Sequence, residues 1–238
     1  VRNPIAPLQL GAVHFSTAFA QAYDVEVVGS IAYVASGLGG IQVVNVATPS
    51  SPSVLNVTAT ASQPERLAVQ NNVLYVADRA GGLLLVDIPN PGTLALRTRI
   101  ATNSGLGKAV GVVVGGDTAY VAYGSDGLVL IDATTTKDPA IVADMSMSGA
   151  TRMAGSGNTL YVSVYNSVTQ IPLQVVNIAD PLHPLISAVI NVSGFANDMQ
   201  IVGNVAFLAD SPWGLQTVDL ASGSILSQST EVSGGPAV

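Results

Sequence analysis

Ala32-Tyr33-Val34-Ala35 returns four times along the chain, as Leu74-Tyr75-Val76-Ala77, Ala119-Tyr120-Val121-Ala122, Leu160-Tyr161-Val162-Ser163 and Ala206-Phe207-Leu208-Ala209. The aromatic residue recurs at spacings of 42, 45, 41 and 46 residues. A fixed period of this length marks a repeat architecture, in which each repeat is one supersecondary unit stacked on its neighbours. A glycine stands four residues ahead of the aromatic at Gly29, Gly157 and Gly203, and five ahead at Gly115 after a longer turn. Asn71-Asn72 fills this place in the second copy. Glycine and asparagine accept the positive φ of a tight hairpin, so each aromatic segment reads as the second strand of one.

Every aromatic segment is followed by an apolar run ending in Asn or Asp. These are Ile41 to Asn45, Leu83 to Asp87, Leu128 to Asp132, Leu173 to Asn177 and Leu215 to Asp219. Four of the runs lead into a proline turn, at Thr48-Pro49, Asn90-Pro91, Asp138-Pro139 and Asp180-Pro181, and then into a further apolar segment. One more precedes each aromatic strand, as in Asp24-Val25-Glu26-Val27-Val28. The unit is thus four short strands, a to d, with no 3.6-residue periodicity sustained enough for a helix. Four antiparallel strands repeated every 40–45 residues are the signature of propeller blades. The expectation is an all-β chain: a five-bladed β-propeller of four-stranded antiparallel blades, as one domain over 1–238. Its repeats fall at 20–61, 62–103, 104–148, 149–193 and 194–238, with 1–19 as the outer strand of a closing or preceding blade.

Composition narrows the function classes. Of the 238 residues, 48% are hydrophobic and only 10% charged, with a mean hydropathy of +0.48. No apolar run approaches the ~18 residues of a membrane helix, and the richest, Ala109 to Val114, is of strand length. No membrane insertion is expected. The net charge is −7, and Lys108 and Lys137 are the only lysines, so the basic footprint of a nucleic-acid binder is missing. An acidic, lysine-poor, Ser/Thr-rich surface suits an extracellular or cell-surface protein. With no cysteine, disulfides, thiolate metal sites and cysteine nucleophiles are excluded. The sequons at Asn56 and Asn191 are no more than chance supplies in such a chain.

The Tyr-Val-Ala strand, the Gly-Leu that follows it, the Val-Val/Ile-Asp strand and the Asp-Pro-x-x-Pro turn together resemble the LVIVD-repeat family of bacterial and archaeal surface or secreted propeller proteins. Leu128-Val129-Leu130-Ile131-Asp132 and Asp180-Pro181-Leu182-His183-Pro184 are the plainest instances. The resemblance runs over essentially the whole chain. It implies a propeller at the cell surface or beyond, and it carries no defined activity or catalytic residue. The fifth copy departs from the pattern, because Ala221-Ser222-Gly223-Ser224 replaces the proline turn.

Asn3-Pro4-Ile5-Ala6-Pro7-Leu8 has the form of Asp180-Pro181-Leu182-His183-Pro184-Leu185, so the chain opens inside a repeat. It also opens without an initiator Met or signal peptide, which reads as a processed chain or a piece of a longer one. Two readings of the strand near Leu8 to Phe15 stand open. In the favoured one it joins the C-terminal blade and closes the ring, removing an exposed edge. In the other the fifth blade keeps its own strand d, and the N-terminal strand pairs elsewhere, including with a second molecule.

Candidate site residues fall in two sets. The b-to-c loops, which differ widely in sequence, gather scarce polar and aromatic side chains: Asp78, Arg79, Tyr123, Asp126, Tyr165 and Trp213. Loops held by a rigid scaffold carry binding sites more often than strands do. Nine residues before the aromatic, at the channel-lining start of strand a, stand Asp24, Arg66, Arg152 and Asp198, with Val110 or Gly111 in the displaced third copy. Their order sets Asp24 beside Arg66 and Arg152 beside Asp198 as two ion pairs plugging the channel. In a closed ring Asp198 and Asp24 would also be neighbours, and two close carboxylates can raise one pKa or take a cation. The recurring Asp87, Asp132 and Asp219 read instead as turn residues accepting backbone N–H bonds, since Asn45 and Asn177 replace them in other copies.

Other constellations are missing. His14 and His183, the only histidines, both fall near d strands, where no His-based metal site or triad can assemble. Gly37-Leu38-Gly39-Gly40 lacks the lysine and following helix of a phosphate loop. Gly124-Ser125-Asp126-Gly127 lacks the ligands of a calcium loop. No catalytic residue, cofactor or metal is therefore assigned. The leading expectation is a non-enzymatic extracellular binding or architectural module, whose partner is a protein or glycan at the cell surface; a separate reading, tied to the unclosed ring, is a strand-exchanging building block that self-associates through its N-terminal strand. The alternative is a glycan-active propeller enzyme using Asp24 and Asp198, since glycosidases work with two carboxyls about 5–10 Å apart.

Overall fold

In a computed structural model, the protein is described at residues 8–16, 20–90, 92–100, 108–133, 139–165, 171–211 and 214–229. It is all-β: five blades of four antiparallel strands in a propeller arrangement, each sheet built from strands in sequence order. Two compact units divide the chain, Val1–Ala101 and Thr102–Val238. The first holds two sheets. One is β1 (Ala20–Val28), β2 (Ile31–Gly37), β3 (Ile41–Asn45) and β4 (Ser53–Thr58); the other is β5 (Arg66–Gln70), β6 (Val73–Ala77), β7 (Leu83–Asp87) and β8 (Ala95–Ile100).

The second unit holds three sheets. The third sheet is β9 (Gly111–Gly115), β10 (Thr118–Ala122), β11 (Leu128–Asp132) and β12 (Ala140–Met145). The fourth is β13 (Ala150–Ser156), β14 (Thr159–Val164), β15 (Ile171–Asn177) and β16 (Leu185–Val192). The fifth is β17 (Phe195–Val202), β18 (Val205–Ser211), β19 (Gly214–Asp219) and β20 (Ile225–Ser229).

The strand containing the aromatic residue is the most deeply buried part of each early blade. β2, β6 and β10 are buried at every position. Such strands read as continuous apolar runs rather than as alternating ones. The hairpin leading into this strand turns on two residues in all five copies. The closing pairs are Val28↔Ile31, Gln70↔Val73, Thr118↔Gly115, Ser156↔Thr159 and Val202↔Val205. Positive φ falls at the first turn residue, Gly29, Asn71, Gly116, Gly157 or Gly203. In the second copy Asn72 shares it, which is the asparagine-favouring form of a two-residue turn.

The expected longer turn and displacement of the third copy are therefore corrected. Gly115 closes the ladder opposite Thr118, the turn residue is Gly116, and every copy places it four residues ahead of the aromatic. All five c–d pairings carry a register shift at one repeat position, between Val43/Val44, Leu85/Val86, Leu130/Ile131, Val175/Val176 and Thr217/Val218. An extra residue at a fixed place bends the outer strand and increases the local twist.

Closure by an N-terminal strand is also corrected. Residues 8–16 form no strand, and β20 pairs with β19 from Leu215↔Ser229 to Val218↔Ile225, so the edge is already occupied. The last blade keeps its fourth strand without a proline turn because Asp219 organises the connection. Its Oδ1 accepts the Ala221 and Ser222 N–H groups and the Ser222 hydroxyl, and Gly223 turns the chain at positive φ. Residues 8–16 lie instead against the first sheet. Val13 and Phe15 pack on the cluster of Ala32, Val34 and Val44, and Gly11 fits against the Pro49 carbonyl and the Pro52 ring with no room for a side chain.

Candidate functional site

The charged residues at the starts of the a strands come together in two pairs, one in each unit. In the first, Arg66 Nη1 donates to the carbonyl of Tyr23 at 2.9 Å, and Asp24 Oδ2 accepts the Leu67 N–H at 2.8 Å. In the second, Arg152 Nε donates to the carbonyl of Asn197 at 2.8 Å. Each guanidinium thus reaches the carbonyl of the residue just before the aspartate of the adjoining sheet, Asp24 or Asp198. Arg152 also donates from Nη1 to the carbonyl of Val110 at 2.7 Å, tying the third, fourth and fifth sheets. The printed contacts run through the backbone: the two guanidiniums hold carbonyls, and Asp24 holds an N–H of the adjoining sheet. Asp24 and Asp198 additionally accept the N–H of the next residue, Val25 and Met199. Glu26, which follows in β1, is pushed up by burial and then by the nearby Asp24 charge.

The third copy's equivalent is Gly111, which pairs with Ala122 as Arg66 pairs with Ala77. A Cβ there would run into the carbonyl oxygen of Thr151 in the neighbouring sheet. This position is a close approach of two backbones, and the charge pattern breaks at it because no side chain fits.

The b-to-c loops differ in sequence yet three share one backbone. Ser36, Asp78 and Tyr123 each donate their N–H to the carbonyl four residues on, Gly40, Gly82 or Gly127, at 2.8, 2.9 and 2.8 Å. Positive φ falls at the second residue, Gly37, Arg79 or Gly124, and at the fifth, Gly40, Gly82 or Gly127. Arg79 is the outlier, a side chain held in the left-handed region where its counterparts are glycines. An ion pair with the buried Glu65 accompanies it. The residues at the tips, Leu38, Ala80 and Ser125, are exposed.

Asp78 is fully buried. Thr60 Oγ1 donates to its Oδ1 at 2.7 Å and the Ser62 N–H to its Oδ2 at 2.9 Å, so the carboxylate pins the d-to-a connection of the first unit to the loop. Burial pushes its carboxyl above the usual carboxylate range, against the pull of Thr60, Ser62 and Arg99. Arg99 holds the same loop from outside, donating to the carbonyls of Gly81 and Ala80. Tyr123 is buried, Asp126 is half-buried and Tyr165 is exposed. Trp213 lies outside the described residues.

Glu65 and Arg99 hold the second b-to-c loop, and the sequence pattern did not single them out. The available signal for Glu65 was an acidic residue in Gln63-Pro64-Glu65, just ahead of an apolar strand in a charge-poor chain. The strand-end residues divide by partner. Asn45, Asn177 and Asp219 each accept the N–H two residues on, as expected of a turn residue, whereas Asp87 pairs with Arg97. Among the described residues no group of three or more His, Asp or Glu could hold a metal ion, and no helix is long and apolar enough to cross a membrane.

Blades latched through their inner strands, with loops of constant backbone and variable tips, define a propeller repeat protein. The chain belongs to the LVIVD repeat family, whose model matches residues 20–60, 63–102, 106–140 and 193–233. The fourth sheet lies between these matches and has the same strand order as the others. No curated protein matches the chain. Among solved structures it is similar to the computationally designed Ika8 protein, at 13% identity and a TM-score of 0.63 over 87% of this chain and 60% of that one. It is likewise similar to the designed Ika4 protein, at 13% identity and 0.56, over 73% of this chain and 100% of that one. BamB from Moraxella catarrhalis matches at 15% identity and 0.54, over 84% of this chain and 58% of that one. The chain thus spans about three-fifths of the length of Ika8 and of BamB, and identities this low report the fold alone.

Proposed function

We propose that this protein is a non-enzymatic binding or architectural module working outside the cell, which presents its b-to-c loops to a protein or glycan at the cell surface. The observation that carries this reading is the shared loop backbone. Three loops repeat one hydrogen-bonded turn while their tips vary between Leu38, Ala80 and Ser125. A rigid frame with interchangeable tips lets binding proceed with little loop ordering to offset, and affinity rises accordingly. The charged side chains beneath serve the frame: Arg66, Arg152, Asp78 and Glu65 hold sheets or loops. The extracellular setting draws on the acidic, lysine-poor composition.

A labelled preparation is applied to a glycan microarray, and the same glycans are then incubated with the protein and analysed for cleavage. Retention of a glycan class that is lost on Leu38→Asp or Tyr165→Ala, with the glycans left intact, supports the reading. Turnover of any of them, abolished by Asp24→Asn or Asp198→Asn, would overturn it in favour of the carboxylate enzyme.

A further inference from the structure

Strand a of the first sheet departs from its counterparts at one place. Ala20 pairs with Gly37 and Asp24 with Ala35, so Gln21, Ala22 and Tyr23 stand opposite Ser36 alone. The fourth and fifth sheets carry a single extra residue there, Thr151 or Asn197, and β5 and β9 pair without a shift. Bulges of this kind re-aim a side chain and gather beside functional sites.

The side chain re-aimed here is Tyr23, and contacts within the first unit fix it from several sides. Its ring lies over Gly37, where an added Cβ would come within 2.6 Å of Cε2. Its hydroxyl donates to Gln21 Oε1 at 2.9 Å. Arg66 Nη1 donates to the Tyr23 carbonyl at 2.9 Å, and the Gly37 N–H donates to the Pro64 carbonyl at 3.2 Å. The ring's own backbone and the seat beneath it are thus both held by the segment 64–66. Tyr23 is nonetheless 43% exposed, whereas Tyr33 and Tyr75 of the same unit are 3% exposed. Leu38, the loop tip one residue beyond the seat, is exposed as well.

A ring that is held in place yet open can stack on a second flat surface with little ordering to offset. Its π face carries partial negative charge, which suits the C–H-lined face of a pyranose. Gln21 beside it has an NH2 group to donate to sugar hydroxyls. The net charge of −7, with Asp24 and Glu26 in the same strand, weighs against an acidic sugar.

We propose that Tyr23 is the stacking platform of a carbohydrate site on the first blade, taking one pyranose ring of a neutral oligosaccharide, with Gln21 bonding its hydroxyls. This rests on the reading of the protein as a binding module and deepens it. The ligand class becomes a neutral glycan, and the contact is made by the bulge of strand a beside the first b-to-c loop.

The test is saturation-transfer difference NMR of the intact chain with lactose, cellobiose, maltose and diacetylchitobiose, and with sialyllactose as the acidic counterpart. At least one neutral disaccharide should receive saturation concentrated on the C–H protons of one pyranose face, and sialyllactose should bind more weakly than lactose. Tyr23→Ala should weaken that binding about tenfold or more, the loss of a dominant contact. Tyr23→Phe, which keeps the ring, should retain most of it, and far-UV circular dichroism checks the fold of both. No saturation of any neutral disaccharide overturns the proposal while leaving a protein partner at the loops standing. Binding that survives Tyr23→Ala but is lost on Leu38→Asp or Tyr165→Ala also overturns it, and there the loop reading itself holds.

Discussion

The Arg152 guanidinium donates to the carbonyl of Asn197 at 2.8 Å, and its second nitrogen reaches Val110 at 2.7 Å, so one side chain joins three sheets. Lysine carries a single ammonium and lacks the planar fork that spans two carbonyls. Arg152→Lys is therefore expected to cost about 2 kcal/mol, the range for hydrogen bonds to a charged group. Arg66→Lys should cost about half as much, because Arg66 reaches the Tyr23 and Glu65 carbonyls from one nitrogen, a place that a single ammonium can partly take. Urea unfolding of the two variants measures this, and unchanged midpoints would mean that apolar packing alone holds the sheets.

Gly111 has no positive φ to explain it; an added Cβ would run into the Thr151 carbonyl oxygen. Gly111→Ala should destabilise the second unit by about 2 kcal/mol, as overpacking does in well-filled interiors. Gly155→Ala is the control, since its added methyl would meet only a Val113 methyl at an ordinary 3.5 Å. Thermal melts of the pair should separate clearly.

Arg79 couples a strained backbone (φ 44) to an ion pair with buried Glu65. Arg79→Gly relieves the backbone but strands the carboxylate, and the second effect is the larger: removing one partner of a pair with one buried end costs about 2 kcal/mol after allowance for the exposed arginine. Arg79→Gly combined with Glu65→Gln should recover most of that loss. A double-mutant cycle in urea reads the coupling, and additive effects would show that the pair contributes nothing of its own.

Asp78 and Asp219 should shift stability with pH in opposite senses. Burial raises the folded pKa of Asp78, so its contribution is complete below the ordinary carboxylate value and is lost as pH climbs through the raised one. Relative to Asp78→Asn, the wild type should lose ground from about pH 4 upward. Asp219 is held below the usual range, first by the Ser222 N–H and hydroxyl. Its contribution is present above the ordinary value and is lost as pH falls through the lowered one. The gap between wild type and Asp219→Ala should therefore narrow in acid. At neutral pH Asp219→Asn should lose less than Asp219→Ala, since Asn45 and Asn177 accept the N–H two residues on with a neutral amide.

Architecture was legible in the chain because its signals are local and repeated. The aromatic strand, the small turn residue ahead of it and the Asn or Asp at the end of strand c each answer to their own few residues. Five copies of one pattern reinforce a reading that a single copy would leave weak. The two errors of local reading came where a signal was duplicated or replaced. Gly115 and Gly116 both satisfy a turn, and only the ladder decides between them. Ala221-Ser222-Gly223-Ser224 lacks proline, yet Asp219 supplies the same constraint through hydrogen bonds.

The strand count and most of the turn chemistry were determined by the sequence itself, since φ preference and side-chain alternation act over two to six residues. Tertiary structure alone decided the partners of the charges and the fate of residues 8–16. A guanidinium in a sheet edge can take a carboxylate or a carbonyl, and the choice depends on which atoms of the next blade arrive within reach: Asn197 for Arg152 and Tyr23 for Arg66. A strand-like segment pairs only where an edge is vacant, and β20 had filled the last one.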